Sequence, residues 1–255
     1  MDAAERFVAL LGLAFVRYLP AVALAGLTPL RWAPPLVRLM LALALAWLTV
    51  LSMPLGGDVL PAPGAVDWAI AIAGELMIGL AFGLVVLLPN AAVHVAGWLV
   101  DVQAGLSAGA LFNPGAQGEM QSMLGAALML VTTVLFFTLD LHVELYRALV
   151  ASVQVIPLGQ VRGGLDPAGF FGLLGSSFLL GLMLVAPVVL GLLAVDIGVA
   201  YATRSMPQAN VYFLMLPLKV VIALLLMVAT LPFVPAMFDR LFRDAFNRVP
   251  SLLGV

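Results

Sequence analysis

The chain has 255 residues, 64% of them hydrophobic and 9% charged, where a soluble domain runs near 45–50% and about 25%. At a mean hydropathy of +1.18 it carries too little polar surface to wet a globule, which excludes an ordinary soluble enzyme and a disordered chain alike. A formal charge of −2 from scattered single residues, no cysteine and two histidines exclude a polybasic nucleic-acid or lipid-anchoring block, a disulfide framework and a thiolate metal site. They also argue against a histidine metal site, and no cofactor is expected.

The solvent of such a chain is membrane lipid or other protein. The expected class is all-α, a polytopic integral membrane protein of about six long apolar helices, because about 20 apolar residues cross a hydrocarbon core and no run alternates as a barrel strand would. A first helix is expected over residues 7–27. Residues 1–26 imitate a secretory signal, with an apolar run from Phe7 to Val16 followed by Ala21, Ala23 and Ala25. Asp2 and Glu5 beside Arg6, and the interruption at Arg17, favour a retained helix instead. Pro29, Pro34 and Pro35 with Arg31 and Arg38 mark a first turn, and Pro54, Gly56, Gly57, Asp58, Pro61, Pro63 and Gly64 a second. Between and after them helices are expected over 37–55 and 68–88. A change of composition at 89–121 follows, and then helices over 122–141, 168–195 and 211–237. Residues 1–240 read as a single helical membrane domain and 241–255 as a short polar tail. Arg6, Arg147, Arg162, Arg240, Arg243 and Arg248 outnumber Arg31, Arg38 and Arg204 on the opposite side, which places both ends in the cytoplasm.

The informative residues are polar ones in apolar surroundings. Glu75, Gly79 and Gly83 recur at spacing four, one stripe of a helix that must face protein, since a carboxylate at a helix centre in lipid costs from about 2.5 kcal/mol upward unless paired or wet. Gly97, Asp101, Gly105 and Gly109 repeat the pattern, and Asn90 and His94 continue it backward. Both stripes read as packing within the chain, the second with one buried ion pair, or as a subunit interface or conduit lining. Asp196, Arg204 and Lys219 are isolated charges that need partners, for which pairing of a carboxylate with an arginine is expected. Asp140, His142 and Glu144 read as solvated helix-end residues rather than metal ligands, since only Asp140 and Glu144 share a face. Gly105-Leu106-Ser107-Ala108-Gly109 matches GxSxG, but the strand-to-helix elbow that gives the motif its chemistry needs a soluble α/β sheet. Glycine packing explains it without a catalytic residue.

Residues 110–123 form a loop that lipid would not tolerate. Pro114, Gly115 and Gly118 make it irregular, and irregular backbone at membrane depth survives only when shielded by protein or lining a cavity. Leu111 and Phe112 supply bulk at its start, and Met120 and Met123 deformable side chains at its end. An ordinary external loop is the alternative.

Read in order, the stretches Gly74-Glu75-Leu76-Met77-Ile78-Gly79-Leu80-Ala81-Phe82-Gly83, Ala96 to Ser107, Asn113-Pro114-Gly115, Arg204 to Tyr212 and Leu216-Pro217-Leu218-Lys219 resemble the flagellar biosynthetic protein FliR family, whose injectisome counterpart is SctT. The similarity spans about residues 7–240. Its most specific part is Pro207-Gln208 with Asn210, followed by Pro217 and Lys219. The resemblance implies a subunit of the type III export gate of the bacterial inner membrane and flagellar basal body, assembled with FliP-like and FliQ-like subunits, contacting an FlhB-like subunit and passing unfolded export substrates. It further implies that some apolar helices bury themselves in partner subunits as hairpins, and that a loop plugs the closed channel. Carried over, Leu111 and Phe112 are the plug residues, shaped by Asn113, Pro114 and Gly115. Leu214-Met215-Leu216 leans toward the injectisome branch, whereas His142 and Ile156-Pro157-Leu158-Gly159 lean toward the flagellar one, which is favoured. No enzymatic step is expected. Two readings from other classes stay open, a small-solute or ion secondary transporter and an intramembrane protease built on Ser107. The first needs interrupted helices in both halves of the chain, and only residues 89–121 qualify.

Overall fold

The structure, a computed structural model, describes residues 3–23, 33–52, 60–61, 64–106, 122–160, 165–205 and 211–254. Its elements in chain order are α1 (Ala3–Ala23), α2 (Pro35–Leu51), α3 (Ala65–Ala104), α4 (Met123–Thr138), α5 (Leu141–Val155), α6 (Pro167–Ser205) and α7 (Val211–Thr230). A short 3-10 turn at Leu231–Phe233, then α8 (Val234–Asn247) and α9 (Val249–Leu252), complete the chain. Among the described residues there is no strand, and the all-α class holds. In lipid each backbone N–H and C=O must be satisfied within its own segment, which the helix does and an open strand does not.

Among the described residues four helices are long and apolar enough to cross a membrane, or five if the pair broken at Leu139–Asp140 counts as one span, while α2 is a shorter apolar helix. The expected element boundaries differ in several places, and the helix expected over 211–237 is interrupted by the 3-10 turn at Leu231–Phe233. The helix expected to stop at 88 runs on through Pro89 to Ala104 as a 40-residue helix, because losing one hydrogen bond at proline costs less in apolar surroundings than ending a helix there. The helix expected to end at 195 continues to Ser205, its Asp196 neutralised by a partner described below. The stretch after 141, which lies between two expected helices, forms the separate helix α5.

Contacts divide the chain into two compact units, Met1–Pro89 with Phe136–Ser176 and Phe242–Val255, and Asn90–Leu135 with Ser177–Leu241. In the first unit Tyr18, Val50, Phe82, Leu149, Leu173 and Leu252 belong to one buried core. Its hydroxyls are paired: Tyr18 Oη lies 2.9 Å from Thr49 Oγ1, which donates to the Leu45 carbonyl at 2.9 Å. Asp166 starts α6, with Pro167 at the first helical position and its carboxylate accepting from the amides of Ala168 and Gly169 at 3.3 and 3.0 Å. The stretch from 241 onward, read from sequence as a polar tail, is helical to Leu252 and places Phe242, Ala245, Val249 and Leu252 in buried positions. Its polar residues Arg243 and Asn247 occupy the outer side of an amphipathic helix.

The second unit is built on small residues. A Cβ on Gly97 would lie 2.5 Å from the Cα of Gly125 in α4, one on Gly181 would lie 2.9 Å from Ala92 Cβ, and one on Gly191 would lie 2.5 Å from Leu226. The helix backbones approach as closely as only glycine permits.

Candidate functional site

The first buried carboxylate is Glu75, on α3. Arg17 on α1 donates through Nε to Glu75 Oε2 at 2.5 Å and through Nη2 to Oε1 at 3.0 Å, with side chains 0% and 1% exposed. Arg17 also donates to Ser152 Oγ at 3.3 Å and to the Ile156 carbonyl at 3.0 Å, and the Gly159 amide donates to Glu75 Oε1 at 2.8 Å. The pair thus ties α1, α3, α5 and the turn after α5 together. Gly79, one turn beyond Glu75, makes this reach possible: a Cβ there would lie 2.9 Å from the Pro20 ring and closer still to the Arg17 carbonyl oxygen. Gly83, the third member of the stripe, is buried as well. A fork-shaped guanidinium against a carboxylate in a dry site is rigid and specific, and its chemistry is that of a clamp.

The second, Asp101, is 2% exposed in the last turn of α3. The expected buried ion pair is not what satisfies it. Its carboxylate accepts from Ser122 Oγ–H and, through both oxygens at 3.2 Å, from the Leu124 amide, while Ser122 Oγ accepts from the Gly125 amide at 2.7 Å. Ser122 is therefore the N-cap of α4, and Asp101 a second anion at the same helix N-terminus, where exposed amides and the helix dipole favour negative charge. Gly105 does not continue the helical face. It ends α3 with φ +82°, its amide bonded to the Val102 carbonyl at 3.1 Å and the Leu106 amide to the Asp101 carbonyl at 3.0 Å, a Schellman motif. A Cβ on Gly105 would come within 2.9 Å of Leu216 on α7, so the end of α3 meets the helix that carries Pro217 and Lys219.

The third carboxylate, Asp196 on α6, meets Lys219 Nζ on α7 at 2.6 Å; its partner is this lysine rather than an arginine. Arg204 lies exposed in the last turn of α6, where a cation suits the carbonyl end of the helix. Gly109, Leu111, Phe112, Asn113, Pro114 and Gly115, with Ser107 of the GxSxG match, lie outside the described residues, as do Pro207, Gln208 and Asn210.

Asp140 precedes α5 in a left-handed conformation with φ 56°, Glu144 pairs with Arg243 at 3.0 Å, and the His142 ring lies tilted against Phe137 with centroids 5.2 Å apart. Among the described residues no group of three His or acidic side chains could hold a metal ion. Sequence reasoning missed Arg17 and Ser122 as partners of Glu75 and Asp101. The signals were present, an arginine inside an apolar helix and a serine at the start of an apolar run, but no local spacing links either to its carboxylate.

A family model described as bacterial export proteins, family 1, matches residues 8–245. Among relatives, the flagellar biosynthetic protein FliR of Escherichia coli (strain K12) is 28% identical over 257 residues, covering 98% of this chain and 96% of that protein. FliR of Aquifex aeolicus (strain VF5) is 29% identical over 215 residues, 84% of this chain and 82% of the relative. Yop proteins translocation protein T of Yersinia pestis is 29% identical over 160 residues, 62% and 61% of the two chains. The family match runs through α3, α4, α6 and α7 and through all three carboxylate sites, and the chain belongs to the bacterial export proteins, family 1.

Proposed function

We propose that this chain is a multi-pass membrane subunit of a type III protein export gate, of flagellar type, in the bacterial inner membrane. The flagellar relative aligns over nearly the whole chain while the Yop translocation protein aligns over 62% of it, and this favours the flagellar branch. The subunit makes and breaks no bond. It seats FliP-like and FliQ-like subunits on its glycine faces, contacts an FlhB-like subunit, and offers the segment 107–121 as the plug of a conduit for unfolded substrates.

One observation carries the plug reading. Asp101 holds both ends of that segment: its carbonyl accepts from the Leu106 amide, and its carboxylate accepts from Ser122 and Leu124. A base fixed at one residue holds the end of α3 and the start of α4 together, as the anchor of a plug requires. The test is the assembled complex carrying Leu111→Ala with Phe112→Ala. Ion or substrate leak with intact assembly is the expected result, and an unchanged leak in a correctly assembled complex would remove Leu111 and Phe112 as the plug.

A further inference from the structure

The two intramembrane ion pairs differ in how completely the chain satisfies them. Arg17 and Glu75 use protein partners on every side. Lys219 and Asp196 share a single contact of 2.6 Å, and neither side chain has another polar partner among the described residues, although an ammonium carries three donors and a carboxylate about four acceptor positions. The open member is the aspartate: its side chain is 40% exposed against 16% for Lys219. Around it on α6, Leu193, Ile197 and Tyr201 are exposed, and a Cβ on Gly198 would meet nothing within 4 Å. Hydrocarbon has no donor for the vacant carboxylate positions, and leaving them bare at membrane depth is costly.

Exposed apolar side chains recur along α6 from Phe171 to Tyr201, about 45 Å of helix path at 1.5 Å per residue, longer than a hydrocarbon core of about 30 Å. Lipid covers such a band only with a strong tilt or with its aromatic ends in the headgroup region, whereas a neighbouring protein helix covers it without either.

We propose that the α6 face beside Asp196, with Leu193, Ile197 and Gly198, receives an apolar helix of another gate subunit that brings a cationic donor, an arginine or a lysine, to the vacant side of the Asp196 carboxylate. Ala194 and Gly198, four apart and both exposed, let that helix approach closely, and the donor completes the shell that Lys219 begins. The proposal rests on the reading of this chain as a subunit of a multi-chain export gate.

The experiment compares the tagged full chain, expressed with its own partner proteins and purified in mild detergent, with Asp196→Ala and with the exchange Asp196→Lys with Lys219→Asp. The exchange restores the pair within the chain but shows the partner the opposite charge. Expected is an at least fivefold drop in partner recovered per chain for Asp196→Ala, and an equal drop for the exchange. Full recovery in either variant would overturn the proposal and leave a pair that acts only within the chain. A wild-type chain that elutes without partners would overturn the export-gate reading, and the proposal with it. Independently of how those variants fold, Ile197→Cys introduces the one thiol of a cysteine-free chain. It is expected to be shielded from a maleimide in the complex and open once the complex is dissociated; equal labelling in both states would place the face in lipid or water and overturn the proposal.

Discussion

Arg17 on α1 and Glu75 on α3, 58 positions apart in sequence, share hydrogen bonds of 2.5 and 3.0 Å where neither side chain is more than 1% exposed. Such a pair contributes little over an apolar replacement of the same shape, but breaking it strands a charge. Glu75→Ala and Arg17→Ala are each expected to cost about 3–5 kcal/mol, seen as a lower unfolding temperature of the detergent-purified chain and less chain in the membrane. Arg17→Met combined with Glu75→Leu is expected to recover part of that loss, since the Ile156 carbonyl and the Gly159 amide lose these partners. Wild-type stability of either single variant would mean that water reaches the pair.

The glycines divide into two groups by what surrounds them. Gly79→Ala forces a methyl against the Arg17 carbonyl and the Pro20 ring and is expected to destabilise by about 1–3 kcal/mol. Gly175 also lies within a helix, but a Cβ there meets nothing within 4 Å, so Gly175→Ala is expected to be neutral or to stabilise by up to about 1 kcal/mol. Thermal unfolding of the two variants side by side decides it, and equal effects would refute the close α1–α3 approach.

Ser122 and Asp101 serve one helix start, and their variants should differ. Ser122→Ala removes the N-cap of α4 at a cost of about 1 kcal/mol. Asp101→Ala leaves the Ser122 hydroxyl and the Leu124 amide without their acceptor, a loss expected at about 2–3 kcal/mol, while Asp101→Asn keeps an acceptor and falls between wild type and alanine. Denaturant midpoints in detergent give the order, and Asp101→Asn as damaging as Asp101→Ala would show that charge rather than acceptance is what the helix end needs.

What could be read in the sequence follows the range of each interaction. The stripe of Glu75, Gly79 and Gly83 was legible because spacing four on a helix is a local rule, and the structure places Glu75 and Gly79 on the contact with α1. Arg17 showed only as an interruption of an apolar run, since its partner lies 58 positions away and no periodicity spans that distance. Gly105 was misjudged by the same local rule. Spacing four continued the face of Asp101 on paper, whereas the positive φ at Gly105 ends the helix and turns the chain away. The segment after 241 was read from its three charges, Arg243, Asp244 and Arg248, which are interspersed with aromatic and aliphatic residues. On a helix that mixture separates into two sides, one of them buried.

That last segment supplies a sharp contrast between neighbouring side chains. Phe242 is 0% exposed, with its ring centroid 5.5 Å from that of Phe136, so Phe242→Ala opens a cavity in the first unit and is expected to cost about 3–5 kcal/mol. Arg243, the next residue, is 52% exposed and its partner Glu144 40%; a surface pair of this kind contributes about 0–1 kcal/mol, and less in high salt. Arg243→Ala is accordingly expected to leave the unfolding temperature nearly unchanged, and Phe242→Ala to lower it by many degrees or to empty the membrane of the chain. If the end of the chain were a polar tail, both substitutions would be silent. A large effect of Arg243→Ala with little from Phe242→Ala would invert the buried and exposed sides of α8.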